Sequence, residues 1–209
     1  MRELIFATGN QAKLAQLAFV IAALKAPVRL IAARERYGEL AAYDEAGSTA
    51  AAISRHGAQV VAKRLGVPVL VEDTTFHVAA LGGAPGVHAG RYLIEHGRAG
   101  ILKALEGQTR RDATIVSAVS WATPEGDVHT WVTALQGQVA FEERWLRGLP
   151  AWIAPTPDDP LGGGYNAIFI PHGIAYTLAE VPPEDALHLG YREPNFCAAI
   201  TFLLEHPER

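Results

Sequence analysis

The chain has 209 residues, 49% hydrophobic and 19% charged, which is the balance of a folded protein and not of a disordered one. A formal net charge of -4 argues against a general nucleic-acid-binding surface, and the single cysteine, Cys197, excludes an internal disulfide framework and fits a reducing compartment. The opening MRELIFATGN has no long apolar signal region, and the apolar run Leu17 to Leu24 is too short to span a bilayer, so the sequence reads as cytoplasmic, with no membrane or nucleic-acid partner.

In chain order, Leu4 to Ala7 reads as a buried strand and Gln11 to Lys25 as a helix ending before Pro27. Val28 to Ala32 is a short apolar run, and Arg34 to Gly47 is mixed. Ser48 or Thr49 caps a helix reaching Leu65. Val67 to Val71 is a β-rich run ending at Glu72-Asp73. Leu81 to Gly90 holds four glycines and a proline and reads as a loop, and Ile94 to Leu105 reads as a helix. Ala113 to Ala122 and Val128 to Ala140 are long strands joined by TPEGD, a hairpin connection. The loop PDDPLGGGYN precedes a short strand, Ala167 to Ile170, and a helix over Asn195 to Leu204 closes the order. No repeat or linker divides it, so residues 1–209 read as a single mixed α and β domain of two lobes that share connections.

Three stretches carry candidate chemistry. In ATGNQAKL a strand runs through a polar turn into a helix start, where first-turn amides and the helix dipole favour an anion. Gly9 admits close backbone approach, Thr8 and Asn10 offer side-chain hydrogen bonds, and Lys13 adds positive charge. The turn is not a Walker loop, and a merely capped helix with a solvated lysine is the plainer alternative. Glu72 and Asp73 follow a buried strand, and Asp44-Glu45 forms a second acidic pair. If the strand continues, Glu72 and Asp73 point to opposite sides. A hard cation such as Mg2+ needs only one or two carboxylates besides substrate phosphates, and a carboxylate beside it can act as general base. Surface acids at a strand end are the plainer reading. The eight histidines show no zinc spacing, and Ser117 and Ser120 lie in a strand pattern, away from any nucleophile elbow.

Taken together, ATGNQAKLAQL, DEAGST, VLVEDTTFHVAALGGAPGVHAGRY, GGGYNAIFIPHG, YTLAEVPPED and GYRE resemble, in order across nearly the whole chain, the motifs of the inosine triphosphate pyrophosphatase family. The resemblance implies an elongated mixed β-sheet flanked by helices, in two lobes around a central cleft, and a homodimer. It implies an Mg2+-dependent hydrolase that cleaves a nucleoside triphosphate into a monophosphate and pyrophosphate. By the same resemblance Thr8, Gly9, Asn10 and Lys13 hold phosphate. Glu45, Asp73 and Glu72 serve the metal, with Asp73 as the base for water. Thr74, Tyr165, Asn166, Tyr191 and Arg192 contact the nucleotide. The chain also departs from the family at named positions. Gln16 stands for a glutamate, Ile53 and Gly57 for an asparagine and a lysine, and Gly163 for a stacking phenylalanine. Asn166 stands for a base-reading aspartate, Ala167 for a proline, Ala186 for a lysine and Tyr191 for a histidine. The departures gather at the base-reading positions, so an active pyrophosphatase with altered base choice is expected. A non-catalytic nucleotide-binding or scaffold protein is the alternative.

Overall fold

The structure, a computed structural model, describes residues 2–206. It is a mixed α/β fold. β1 (Arg2–Phe6), β2 (Val28–Ala32), β3 (Val69–Val78), β4 (Pro85–Gly86), β5 (Asp112–Ala122), β6 (Val128–Val139) and β7 (Phe169–Pro171) form one seven-stranded sheet. The order is β2-β1-β3-β5-β6-β7, with β4 on β3. β1 pairs in parallel with β2 and with β3, whereas β6 and β7 are antiparallel. The helices are α1 (Gln11–Ala23), α2 (Ala33–Tyr37), α3 (Ala50–Leu65), α4 (Ala89–Ala104), α5 (Pro183–Leu189) and α6 (Glu193–Glu205).

The chain makes two compact units. The first comprises the segments up to Asp73, Ser117–Thr133, and Arg192 onward; the second comprises Thr74–Val116 and Ala134–Tyr191. In the first, β1, α1 and β2 are a strand-helix-strand crossover, the usual way to place two strands in parallel. α3 buries Ala50, Ile53, Ser54, Gly57, Ala58, Val61 and Ala62, one stripe at helical spacing. Of that stripe, Ala58, Val61 and Ala62 pack with Ile5, Ala7, Val69 and Val71. Thr49, not Ser48, caps α3, its hydroxyl accepting from Ala52 N at 3.1 Å, and Gly66 ends the helix with φ 67°.

Several boundaries differ from the sequence reading. β3 does not stop at Glu72-Asp73 but continues through Thr74, Thr75, Phe76 and Val78. Threonine and phenylalanine favour the strand, and two polar residues did not end it. α4 starts at Ala89, inside the stretch read as a loop, and carries a non-helical break at Gly97 (φ 63°). Residues 33–41, read as mixed, hold α2 and a 3-10 turn, and α5 was not anticipated, although Pro183 at its first position is a helix-start signal.

In the second unit Arg98, just past the Gly97 break, is buried. Its guanidinium donates to the carbonyls of Pro160 (2.6 Å), Gly162 (3.4 Å) and Gly164 (2.7 Å) and to Glu143 Oε2 (2.6 Å). One planar fork with five donors thus holds the glycine-rich loop in place.

Candidate active site

β1 ends at Phe6, paired with Leu70, and Ala7 N still donates to Leu70 O at 2.8 Å. β3 runs on. Glu72 and Asp73 therefore extend past the end of β1, beside the Thr8–Asn10 turn, at the carboxyl end of parallel strands where α/β sheets place ligands.

Alternation along β3 then sorts the two carboxylates. Asp73 shares the side of Val69 and Val71, which face α3 and Tyr43. It is 8% exposed. Burial, then the charges of Asp73, Glu45 and Glu72, push the Tyr43 phenol well above its usual value, so Tyr43 sits within the field of all three carboxylates. Gly57 is small for a steric reason: a Cβ there would lie 2.6 Å from Tyr43 Cε2. The ring of Tyr43 takes the space that a side chain at position 57 would need.

Glu72 faces the other way, toward α1 and the start of α6. Its side chain is 0% exposed and gathers charge from both helices. Lys13 Nζ lies 2.8 Å from Oε2 and Arg192 Nε 3.2 Å from Oε1. Ser117 Oγ donates to Oε1 at 2.8 Å, and Lys13 Nζ also donates to the Glu72 carbonyl at 3.1 Å. Ser117 is itself held by Asn195, whose Nδ2 donates to the Ser117 carbonyl at 3.0 Å; Thr133 Oγ1 donates to Asn195 Oδ1 at 2.9 Å. Two cations thus meet one carboxylate. Glu72, expected with Glu45 and Asp73 at a metal, forms ion pairs with Lys13 and Arg192. Among the described residues no group of three or more His, Cys, Asp or Glu side chains is placed to hold a metal. Asp73 and Glu45 would supply oxygen donors of the kind a hard cation accepts when substrate phosphates and water complete its shell.

The Thr8–Asn10 turn caps α1 as well as facing solvent. Asn10 Oδ1 accepts from Ala12 N (2.9 Å) and Lys13 N (3.3 Å), and Asn10 N donates to Thr8 Oγ1 (3.1 Å). Gly9 is exposed, and a Cβ on it would meet nothing within 4 Å. The protein's own packing does not explain that glycine.

Gln16 and Glu193 were not anticipated as partners. Gln16 Nε2 donates to Glu193 Oε1 at 2.6 Å, and Arg192 Nη1 donates to Gln16 Oε1 at 3.3 Å. Burial raises the Glu193 pKa above the ordinary 4.5, against the lowering effect of the Gln16 hydrogen bond. The sign follows from linkage. A raised folded-state value means stability that is complete below pH 4.5 and lost as pH climbs through the folded value. Glu193→Gln removes this loss, so its melting temperature should gain on the parent as pH rises from 4.5 to neutrality. Melts that stay parallel across that range would refute the burial cost.

The second unit places the remaining candidates. Thr74 is half-buried and Tyr191 buried. Tyr165, expected at the nucleotide, stacks on Phe76 (4.4 Å between centroids) and donates its hydroxyl to the Ala89 carbonyl at 2.9 Å. Asn166 Nδ2 donates to the Ile153 carbonyl at 3.0 Å, and its Oδ1 is buried without a hydrogen-bond partner among the described residues. Gly163 has φ +70°, and a Cβ there would stand 2.6 Å from the Ile153 carbonyl carbon. Sequence identified these positions but gave no sign that the Ala151–Ala154 backbone lies against them.

Comparison with known proteins gives the family and the fold. The chain fits the Ham1 family model over residues 4–199. It is 34% identical over 215 residues to a dITP/XTP pyrophosphatase of Gloeobacter violaceus, covering 99% of this chain and 100% of that one. It is 31% identical over 202 residues to a dITP/XTP pyrophosphatase of Parasynechococcus marenigrum, covering 94% and 92%. The Staphylococcus aureus Ham1 protein has the same fold, with TM-score 0.77 at 22% identity over 98% of this chain and 100% of that one. By this match along the length of the chain, the protein belongs to the Ham1 family.

Proposed function

We propose that this chain hydrolyses nucleoside triphosphates between the α- and β-phosphates, releasing a nucleoside monophosphate and pyrophosphate, with Mg2+ as cofactor and with base choice shifted from that of its relatives. The observation that carries the reading is the sorting of Glu72 and Asp73 to opposite sides of β3. One carboxylate organises two cations for phosphate; the other lies with Glu45 and Tyr43, turned away from those cations.

In this reading Lys13 and Arg192, set by Glu72, bind phosphate oxygens, and the Thr8–Asn10 turn closes on them. Asp73 and Glu45 would hold the divalent cation. When bound, that cation neutralises phosphate charge and acidifies a water. Asp73 takes the proton from the attacking water as general base. A cytoplasmic homodimer belongs to the same proposal, readable by sedimentation of the purified chain.

The turn offers a clean test. Gly9→Ala meets no protein atom within 4 Å, so its melting temperature should match the parent. If a phosphate lies against that backbone, the methyl group should raise KM by about tenfold or more, roughly 1.4 kcal/mol of lost binding. A parent-like KM would remove Gly9 from the phosphate site.

Base choice rests on Gly163 and Asn166, where no aromatic ring and no carboxylate is present to read a base. Pyrophosphate release should be measured with Mg2+ and the triphosphates of deoxyinosine, xanthosine, adenosine, guanosine, cytidine and uridine. Deoxyinosine or xanthosine triphosphate should be preferred by less than about a hundredfold in kcat/KM, about 2.7 kcal/mol. A larger preference would defeat the shift in base choice. Release from none of the six would favour a binding protein without catalysis.

A further inference from the structure

Tyr43 lies between the 3-10 turn at Gly38–Ala41 and α3, just before Glu45. The chain around it is pinned to one face of α3. Arg64 Nη1, in the last turn of that helix, donates to the carbonyls of Leu40 (3.2 Å) and Ala42 (2.6 Å), so the backbone leading into Tyr43 is held. About two turns back on the same face is Gly57, and the ring of Tyr43 lies against it. A Cβ at position 57 would stand 2.6 Å from Cε2 and 2.9 Å from Cζ, the carbon that carries the hydroxyl. The ring also packs on the cluster that holds Ala58, Val69 and Val71.

Packing accounts for the ring but not for its oxygen. Among the described residues the hydroxyl has no hydrogen-bond partner, and it is not a buried atom. A phenylalanine would fill the same space. The surroundings say what the oxygen can do. A phenol is protonated at neutral pH even at its ordinary value of 10.0, and burial, then the charges of Asp73, Glu45 and Glu72, push it higher, against the pull of Arg34. The hydroxyl is therefore a donor. A free anion is repelled from a place that these carboxylates face. An anion carried by a divalent cation is not, because the cation offsets the repulsion and leaves phosphate oxygens as acceptors.

We propose that Tyr43 is a further phosphate contact: its hydroxyl donates to a phosphate oxygen of the triphosphate when a divalent cation ties that phosphate to Asp73 and Glu45. The inference rests on the reaction proposed above, and its test keeps the two apart. Inorganic pyrophosphate binding is measured by calorimetry with and without Mg2+, and deoxyinosine triphosphate hydrolysis with Mg2+ supplies KM and kcat. In the parent, Mg2+ should tighten pyrophosphate binding. Tyr43→Phe keeps the ring beside Gly57, so its melting temperature should match the parent. Without Mg2+ its affinity for pyrophosphate should stay within about twofold of the parent. With Mg2+ it should be weaker by about tenfold, the scale of one hydrogen bond to a charged acceptor. KM should rise by a similar factor while kcat moves less than about threefold.

Gly57→Ala reaches the same hydroxyl by another route. The added carbon pushes the ring, Cζ included, away from α3 with the oxygen still present. It should weaken binding in Mg2+ to a comparable degree, and adding Tyr43→Phe to it should cost no more, because the two act through one contact. Parent-like binding in Mg2+ by Tyr43→Phe or by Gly57→Ala overturns the contact. So does a loss in Tyr43→Phe that is equal with and without Mg2+, which marks a general disturbance. A fall in kcat with KM and binding unchanged also overturns it, since the hydroxyl then acts on the attacking water and not on bound phosphate. If Gly57→Ala fails to fold, Tyr43→Phe decides alone. A parent that shows this pattern with pyrophosphate but hydrolyses no triphosphate keeps the contact and sinks the proposed reaction. A parent that binds no pyrophosphate, or binds it without regard to Mg2+, overturns both.

Discussion

Asp73→Asn should lower kcat for triphosphate hydrolysis by about a hundred- to ten-thousandfold, the range expected when a positioned general base is lost. The substitution is nearly isosteric at a residue only 8% exposed, so the fold should persist. What changes is chemical. An amide carries no charge, takes no proton from water and gives a cation a poorer oxygen. Lys13 and Arg192 pair with Glu72, whose side chain turns to the opposite face of β3. Pyrophosphate binding by calorimetry should therefore survive where turnover does not. That divergence is the informative result, because an interaction made only in the transition state lowers kcat and kcat/KM together. Turnover within about threefold of the parent at saturating Mg2+ would remove Asp73 from the base role. Loss of pyrophosphate binding in step with turnover would show that the two sides of the strand are not independent.

The residues of that site differed in how far the sequence disclosed them. The turn at Thr8–Asn10 was legible because its signals are local: a strand, a glycine, a capping asparagine and a lysine within one helical turn. The opposite facing of Glu72 and Asp73 was legible only on the condition that the strand continued, and β3 does continue to Val78. The role of Glu72 was not legible. Its partners lie 59 residues before it, on α1, and 45 residues after it, on β5, with Arg192 at the chain's far end. Gln16 stood out as a departure, yet its meaning lay 177 residues away in Glu193. Gly57 read as a lost lysine, whereas packing shows a position filled by the ring of Tyr43. Local chemistry sets elements and caps; the counter-charges come from elements that only the fold brings together.

Gly163 carries the same lesson to its largest structural consequence. Restoring an aromatic ring there, as Gly163→Phe, looks from sequence like a repair of base stacking. The structure predicts the reverse. The backbone holds φ +70°, which an L side chain rarely adopts, and a Cβ would stand 2.6 Å from the Ile153 carbonyl carbon and 2.9 Å from Ala154 N. Those are backbone atoms and cannot rotate away. Gly163 N also donates to the Ala151 carbonyl at 2.6 Å, and Arg98 fixes the carbonyls on either side, at Gly162 and Gly164. The loop therefore cannot shift without breaking the buried arginine's contacts. Strain and overpacking together should cost about 2–6 kcal/mol. Urea unfolding should show this as a lower midpoint, and Gly163→Ala should already show much of it, since the first carbon makes the clash. Neither variant should gain preference for deoxyinosine triphosphate over adenosine triphosphate. A Gly163→Phe protein as stable as the parent would mean that the Ala151–Ala154 segment yields to a side chain. Base choice in this chain would then be open to reversal by one substitution.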